Sequence, residues 1–178
     1  MPTFPKSARA LAILTVVAAA GLSACASRAP TAANVPPFYQ RLDVAGRSID
    51  PASSMGMINA WRQKNGLPAL SYDPALARVA QAQASAMAAA DSPQASLGAD
   101  QNVTARLSRA SYGVRSANEN VSAGYRTFAE AFSGWRDSRG HNAIMLDPRA
   151  TRMGIATALN PASKYQVFWS MVVAEPAN

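Results

Sequence analysis

His141 is the only histidine in this 178-residue chain, and histidine is the side chain whose ordinary titration falls between pH 5 and 8. Set beside a carboxylate such as Glu119, it could move a proton in either direction near neutrality, the carboxylate raising its pKa. A Glu–His pair alone names no reaction, because it still needs a nucleophile or a metal. Ser138 stands three residues before His141, but no G-x-S-x-G elbow accompanies it, and the single thiol, Cys25, lies far upstream. A nucleophilic hydrolase is therefore weakly supported. Zinc normally takes three or four protein ligands, since each must repay the cost of stripping water from the ion. One histidine and one glutamate fall short, so neither a metal nor another cofactor is expected.

The elements that must carry these residues follow from local pattern. Ser116 to Gly124, with Asn118-Glu119-Asn120-Val121 inside it, reads as an irregular polar stretch. Thr127-Phe128-Ala129-Glu130 is a capping box, and Phe128, Ala131, Phe132 and Trp135 continue it as an apolar helical stripe. That helix is expected to end near Ser138-Arg139-Gly140 and to deliver His141 onto a loop. Upstream, a first helix is expected from Ser53 or Ser54 to Asn65-Gly66, then an extended connector, Leu67 to Leu70. Asp73 and Pro74 form a cap and a first helical position, opening a second helix that runs to about Ala90. Asp91-Ser92-Pro93 breaks it, and a third helix is expected over Gln101 to Ser111. Met153 to Leu159 and Tyr165 to Ala174 read as two strands of a hairpin turned at Asn160-Pro161-Ala162-Ser163. Helices first and strands last imply an α+β sandwich. Trp61, Trp135 and Trp169 are expected in the core, and Asn59 is expected to satisfy backbone groups.

The N-terminus points outside the cytoplasm. Lys6 and Arg9 precede an apolar run, Ala10 to Ala20, which is too short to cross a hydrocarbon layer of about 30 Å as a helix and has the length of a signal-peptide core. Leu22-Ser23-Ala24-Cys25 resembles the bacterial lipobox, whose cysteine becomes the lipidated first residue of the mature chain. Ala24-Cys25-Ala26 could instead be an ordinary A-x-A cleavage site. The expected organisation is a signal peptide over 1–24, a flexible lipid-anchored tether rich in Ala, Pro, Ser, Thr and Asn over 25–50, and one domain over 51–178. A lone cysteine forms no intramolecular disulfide, so the domain must rest on an apolar core. The formal charge is +7, or +5 without Lys6 and Arg9. Eight arginines (106, 109, 115, 126, 136, 139, 149 and 152) concentrate it. Such a surface would attract anionic lipid or an acidic wall polymer under salt control. The arginines are scattered and no binding motif accompanies them, which argues against nucleic acid.

Four segments then stand in order: Met57-Ile58-Asn59-Ala60-Trp61-Arg62 before Gly66-Leu67-Pro68-Ala69-Leu70; Asn118-Glu119-Asn120-Val121; Trp135 to His141; and Met153-Gly154-Ile155-Ala156 before Phe168-Trp169. This series resembles the bacterial branch of the CAP superfamily (cysteine-rich secretory proteins, antigen 5, pathogenesis-related proteins), almost throughout Met57 to Ala174. The resemblance implies an α-β-α sandwich with a central, largely antiparallel sheet. It also implies a groove that, in fuller members, holds two histidines and two acids able to bind a divalent cation. Glu119 matches one acid and His141 one histidine. The other histidine falls where this chain has Gln94-Ala95-Ser96, and the other acid falls near Ser138. The resemblance thus implies a ligand groove of Glu119, His141, Ser138 and Asn120, with no metal. It suggests lipids, wall fragments or proteins as partners for an envelope protein held to the membrane through Cys25, at the outer membrane in a Gram-negative cell, or secreted if the lipobox is not used. A hydrolase of wall or extracellular polymer using Glu119 and His141, and a structural component with a vestigial groove, are the alternative expectations.

Overall fold

The strand Val167–Pro176 contains a long apolar run, and every residue from Val167 to Ala174 is buried. A strand buried on both faces must have elements packed above and below it, and that requirement organises the molecule. The computed structural model describes residues 1–2, 35–95, 98 and 100–177. The chain divides into two units, Met1–Pro30 and Thr31–Asn178, and every described helix and strand belongs to the second. Cys25 and the apolar run before it lie outside the described residues.

In chain order the elements are α1 (Pro51–Lys64), β1 (Ser71–Tyr72), α2 (Pro74–Ala89), α3 (Val103–Arg109), β2 (Val114–Ala123), α4 (Phe128–Asp137), α5 (Arg139–Met145), β3 (Arg152–Leu159) and β4 (Val167–Pro176). The strands form one sheet in the order β1-β3-β4-β2. The short β1 runs parallel to β3, while β3–β4 and β2–β4 are antiparallel. Side chains alternate across β4 as a strand requires. Val167, Trp169, Met171 and Val173 meet Ile58 of α1, Phe128 and Trp135 of α4, and Met145 of α5. Val172 and Ala174 meet Leu76 and Val79 of α2 and Leu107 of α3, and Phe168 meets Met87. The result is the expected α+β, α-β-α sandwich with a largely antiparallel central sheet. No described helix is long and apolar enough to cross a membrane.

Several local expectations hold. Asp73 accepts from the Ala75 and Leu76 N–H groups to open α2. Thr127 and Glu130 close both halves of the capping box on α4. Trp135 and Trp169 are fully buried and meet edge to face at 6.3 Å, whereas Trp61 is only partly buried. Both amide atoms of Asn59 serve the Leu70 backbone, donating to its carbonyl at 2.9 Å and accepting from its N–H at 2.8 Å.

Other expectations are corrected. Helix α1 begins at Pro51, because Asp50 accepts from the Ser53 N–H and Pro51 takes the first helical position. The stretch Ser116 to Gly124 is no irregular loop: most of it belongs to the ten-residue edge strand β2. Ser138-Arg139-Gly140 does not release His141 onto a loop, since the chain re-enters a helix at Arg139. The segment over 35–50 is not a free tether. Pro37–Tyr39 forms a 3-10 turn, Leu42 is buried, and its N–H donates to the Arg126 carbonyl at 2.8 Å. Phe38 and Ile49 pack on the same core. Isolated apolar residues dock here one at a time, without the periodicity that marks a regular element.

Gly154 shows how closely α2 sits on the sheet. A Cβ there would overlap the Leu76 and Ala77 backbone, atoms that cannot swing aside. Gly154→Ala is expected to lower stability by about 2 kcal/mol through overpacking, read as a shifted midpoint in urea. Gly140→Ala, where a Cβ meets nothing within 4 Å, is the control and should leave the midpoint unchanged or slightly raised, since alanine suits a helix better than glycine.

Candidate functional site

Glu119 and Asn120 are neighbours on β2 and therefore point to opposite faces of the sheet. The Glu119 side chain turns toward α3 and is only 6% exposed. Its Oε2 accepts from Arg106 Nη2 and its Oε1 accepts from Ser170 Oγ at 2.7 Å. Arg106 is itself 11% exposed and also donates through Nε to the Gln101 carbonyl at 2.9 Å. The carboxylate is thus enclosed by a guanidinium and a hydroxyl, and the pair ties α3 to the sheet.

Asn120 faces the other way and is fully buried. Its Nδ2 donates to the His141 carbonyl at 3.0 Å, while its Oδ1 has no partner. His141 lies on α5 with its ring half-buried. Burial lowers its pKa from the ordinary 6.5, against a hydrogen bond to the Val121 backbone that raises it. Ser138 is the extended residue joining α4 to α5. Its N–H donates to the Gly134 carbonyl, its carbonyl accepts from the Asn142 N–H at 2.8 Å, and its hydroxyl does not cap α5. Asn120, His141 and Ser138 therefore belong to one side, where α5 rests on β2. The bonds of Glu119 belong to the other side.

The cation-binding arrangement implied by the resemblance does not fit these residues. No group of three or more His, Cys, Asp or Glu side chains stands together among the described residues. Both oxygens of the one matching acid are already engaged, and the charge opposite it is Arg106. A divalent ion at Glu119 would have to displace a guanidinium from a nearly buried carboxylate.

Arg106, Ser170, Arg62 and Asp147 have structural roles that the residue pattern did not show. Arg62 is fully buried and donates to the carbonyls of Pro68, Met145, Asp147 and Ala150. Asp147 accepts from Asn118 Nδ2 at 2.9 Å and pairs with Arg149. Burial opposes ionisation of Asp147, but Arg149 and Asn118 outweigh it and hold its pKa low. Five of the eight arginines form ion pairs: Arg106 with Glu119, Arg115 with Glu175, Arg126 with Asp43, Arg136 with Asp137 and Arg149 with Asp147. Most of these arginines are thus held in local pairs, while the net positive charge of the chain remains.

The depressed His141 pKa has a signed consequence. The folded state takes up its proton less readily than the unfolded chain, so His141 contributes stability that is present above the unfolded pKa and lost as pH falls through the folded one. Asp147 acts with the same sign in more acidic solution. Wild type minus His141→Gln stability is expected to decline as pH falls below about 6.5, measured by urea unfolding at a series of pH values. A difference that grows on acidification would contradict the burial of the neutral ring.

The model of the CAP family, described as the cysteine-rich secretory protein family, matches residues 55–173. Among solved structures, an extracellular protein containing an SCP domain from Bacillus anthracis str. Ames aligns with a TM-score of 0.54 at 24% identity, over 70% of this chain and 43% of that one. A cysteine-rich secretory protein from Staphylococcus aureus subsp. aureus Mu50 aligns with a TM-score of 0.54 at 18% identity, over 70% and 38%. An outer surface protein from Borrelia burgdorferi aligns with a TM-score of 0.61 at 15% identity, over 74% and 99%. At these identities the likeness is one of fold, and the chain spans less than half the length of the first two. No curated protein matches the chain.

Proposed function

The chain belongs to the CAP family of cysteine-rich secretory proteins, and from that premise we propose an exported, lipid-anchored envelope protein whose domain binds a ligand or partner without catalysis. The observation that carries the reading is the engagement of Glu119 by Arg106 and Ser170. A general base must be able to reach the proton it removes, and this carboxylate is spent on holding α3. His141, kept toward its neutral form by burial, is left to position α5 against β2. The extracellular and outer-surface descriptions of the Bacillus and Borrelia proteins support placement outside the cytoplasm, in line with the signal sequence ahead of Cys25.

Two measurements test this reading. Cys25→Ser is expected to move the protein from the membrane fraction to the soluble fraction, with loss of the acyl mass from its N-terminal peptide. Recovery of unmodified wild-type protein in the soluble fraction would overturn the anchor and leave export intact. Incubation with wall polymer, followed by mass spectrometry of released fragments, is expected to show no cleavage. Cleavage that His141→Ala abolishes would establish the hydrolase alternative.

A further inference from the structure

Strand β3 is paired with β4 along its whole length but with β1 only at Arg152 and Met153. The Asp73 N–H donates to the Met153 carbonyl at 2.8 Å, and the chain then turns away into α2. In an antiparallel ladder, alternate residues direct both backbone groups to the same neighbour. The Asn160 N–H donates to the Gln166 carbonyl on the β4 side, so Gly154, Ala156 and Ala158 face β4 in step with it. Ile155, Thr157 and Leu159 therefore aim their N–H and C=O groups at the outer edge. Among the described residues no strand pairs with that edge beyond Met153. A side chain stands in for one: Gln81 of α2 donates through Nε2 to the Thr157 carbonyl at 3.1 Å.

Two cavities follow this edge in series. One of about 360 Å³ is lined by Arg78 and Gln81 of α2, by Ser48 and Ile49 ahead of α1, and by Ile155 to Thr157. The next, of about 350 Å³, is lined by Ser85 and Ala89 of α2 and by Ala158 to Pro161. Gln81, Ser85 and Ala89 recur every four residues, so one face of α2 borders both cavities. The edge itself lacks the usual safeguards against pairing. Ile155-Ala156-Thr157-Ala158-Leu159 contains no charge and no proline, and no bulge interrupts its register with β4. Such an edge is a template for another strand. Walls on both sides, α2 and the Ser48–Ile49 stretch, admit a single extended chain and exclude the edge of a second folded sheet. Arg78 is exposed at the start of the groove and forms no ion pair among the described residues.

We infer that this edge binds an extended acidic peptide of another protein, which adds a strand beside Ile155–Leu159 and sets a carboxylate against Arg78. Five residues of strand span about 17 Å, which fixes the length of peptide the edge can pair. Backbone bonds to Ile155, Thr157 and Leu159 hold the main chain whatever its sequence, and Arg78 selects the charge. At Thr157 a peptide N–H takes the place of the Gln81 amide. The inference rests on the binding reading above and names the conformation and charge of the partner. It uses neither Glu119 nor His141, so cleavage lost in His141→Ala would defeat that reading, whereas the outcomes below bear on the β3 edge alone.

The test is fluorescence anisotropy of the full-length protein with a labelled, end-blocked peptide of alternating valine and threonine that carries one glutamate. Saturable binding is expected. Methylating the peptide's backbone nitrogens removes its donors and should weaken binding at least tenfold. Glutamine in place of the glutamate should weaken it at least threefold at low salt, a difference that Arg78→Gln abolishes. Bound peptide should slow hydrogen exchange at the Ile155, Thr157 and Leu159 amides, read by NMR. Gly154, Ala156 and Ala158, already bonded to β4, should exchange as before. No saturable binding, equal binding of the methylated peptide, equal binding of the glutamate and glutamine peptides, or protection at other amides instead would overturn the proposal. So would a dimer that protects the same three amides without peptide, since a second copy would then be the occupant.

Discussion

Glu119→Ala is expected to cost about 3 kcal/mol, at the lower end of the range for breaking a buried ion pair, and to lower the thermal midpoint by on the order of 10 °C. The loss arises from what remains. Arg106 stays nearly buried at 11% exposure with its carboxylate gone, and the Ser170 hydroxyl loses the acceptor it reaches at 2.7 Å. Arg106 keeps its bond to the Gln101 carbonyl, which holds the cost below that of a fully isolated charge. Replacing both partners with apolar residues of similar volume removes the stranded charge, so Arg106→Met/Glu119→Leu should recover much of the stability. A double-mutant cycle in urea measures the coupling directly. Independent, additive losses would show that the pair does not act as a tie between α3 and the sheet. If Glu119 served a divalent ion instead, stability would depend on that ion. The wild-type midpoint is therefore expected to be the same with added zinc or calcium as with a chelator.

This prediction turns on partners that sequence spacing does not reveal. The capping box on α4 and the Asp-Pro opening of α2 were legible because every interacting group lies within one helical turn. The apolar run in β4 was legible because a strand buried on both faces needs no alternation. Edge strand β2 was not, because its polar residues are satisfied by distant groups. Glu119 finds Arg106 and Ser170, Asn120 finds the His141 carbonyl, Asn118 finds Asp147, and Ser122 accepts from the Trp135 indole at 3.1 Å. A stretch that looks solvated one residue at a time is mostly half-buried, with Asn120 fully enclosed. The same limit applies to the candidate site. Residue type and family pattern located Glu119 and His141, but the alternation of a strand sends Glu119 to the α3 face and Asn120 to the α5 face. That division removes the simplest acid–base pairing. Asp50-Pro51 carried the same helix-opening signal as Asp73-Pro74, so the start of α1 could have been read from local chemistry.

Arg62→Ala is expected to have the largest effect of all, about 4 kcal/mol, because it deletes a buried donor that serves four carbonyls. Nε reaches Pro68 at 2.9 Å, Nη1 reaches Met145 at 2.8 Å and Asp147 at 3.0 Å, and Nη2 reaches Ala150 at 3.3 Å. Truncation takes the donor from the buried Met145 and Ala150 carbonyls, each costing about 1–3 kcal/mol unless water enters, and leaves the space of a long side chain. The Asp147 carbonyl keeps the Ala150 N–H at 3.3 Å. Arg62→Lys tests the geometry separately from the charge. An ammonium is a compact donor and cannot span the Pro68 side and the Met145–Ala150 side as a planar fork does, so lysine should restore only part of the loss. Full rescue by lysine would mean that charge, rather than the forked bonding, holds the site. The consequence reaches α5, because Met145 is its last residue and the Met145–Ala150 turn leads into β3. Arg62 thereby fixes the C-terminal end of α5, while Asn120 fixes its middle through the His141 carbonyl. Hydrogen exchange should report the change as faster exchange of the α5 and Asp147–Ala150 amides in Arg62→Lys, with α2 amides protected as before. The placement of His141 thus depends on Arg62 of the first helix, which holds the end of α5, together with Asn120, which holds the His141 carbonyl, and a loss of function in an Arg62 variant should be read as misplacement of α5 rather than as loss of a reacting group.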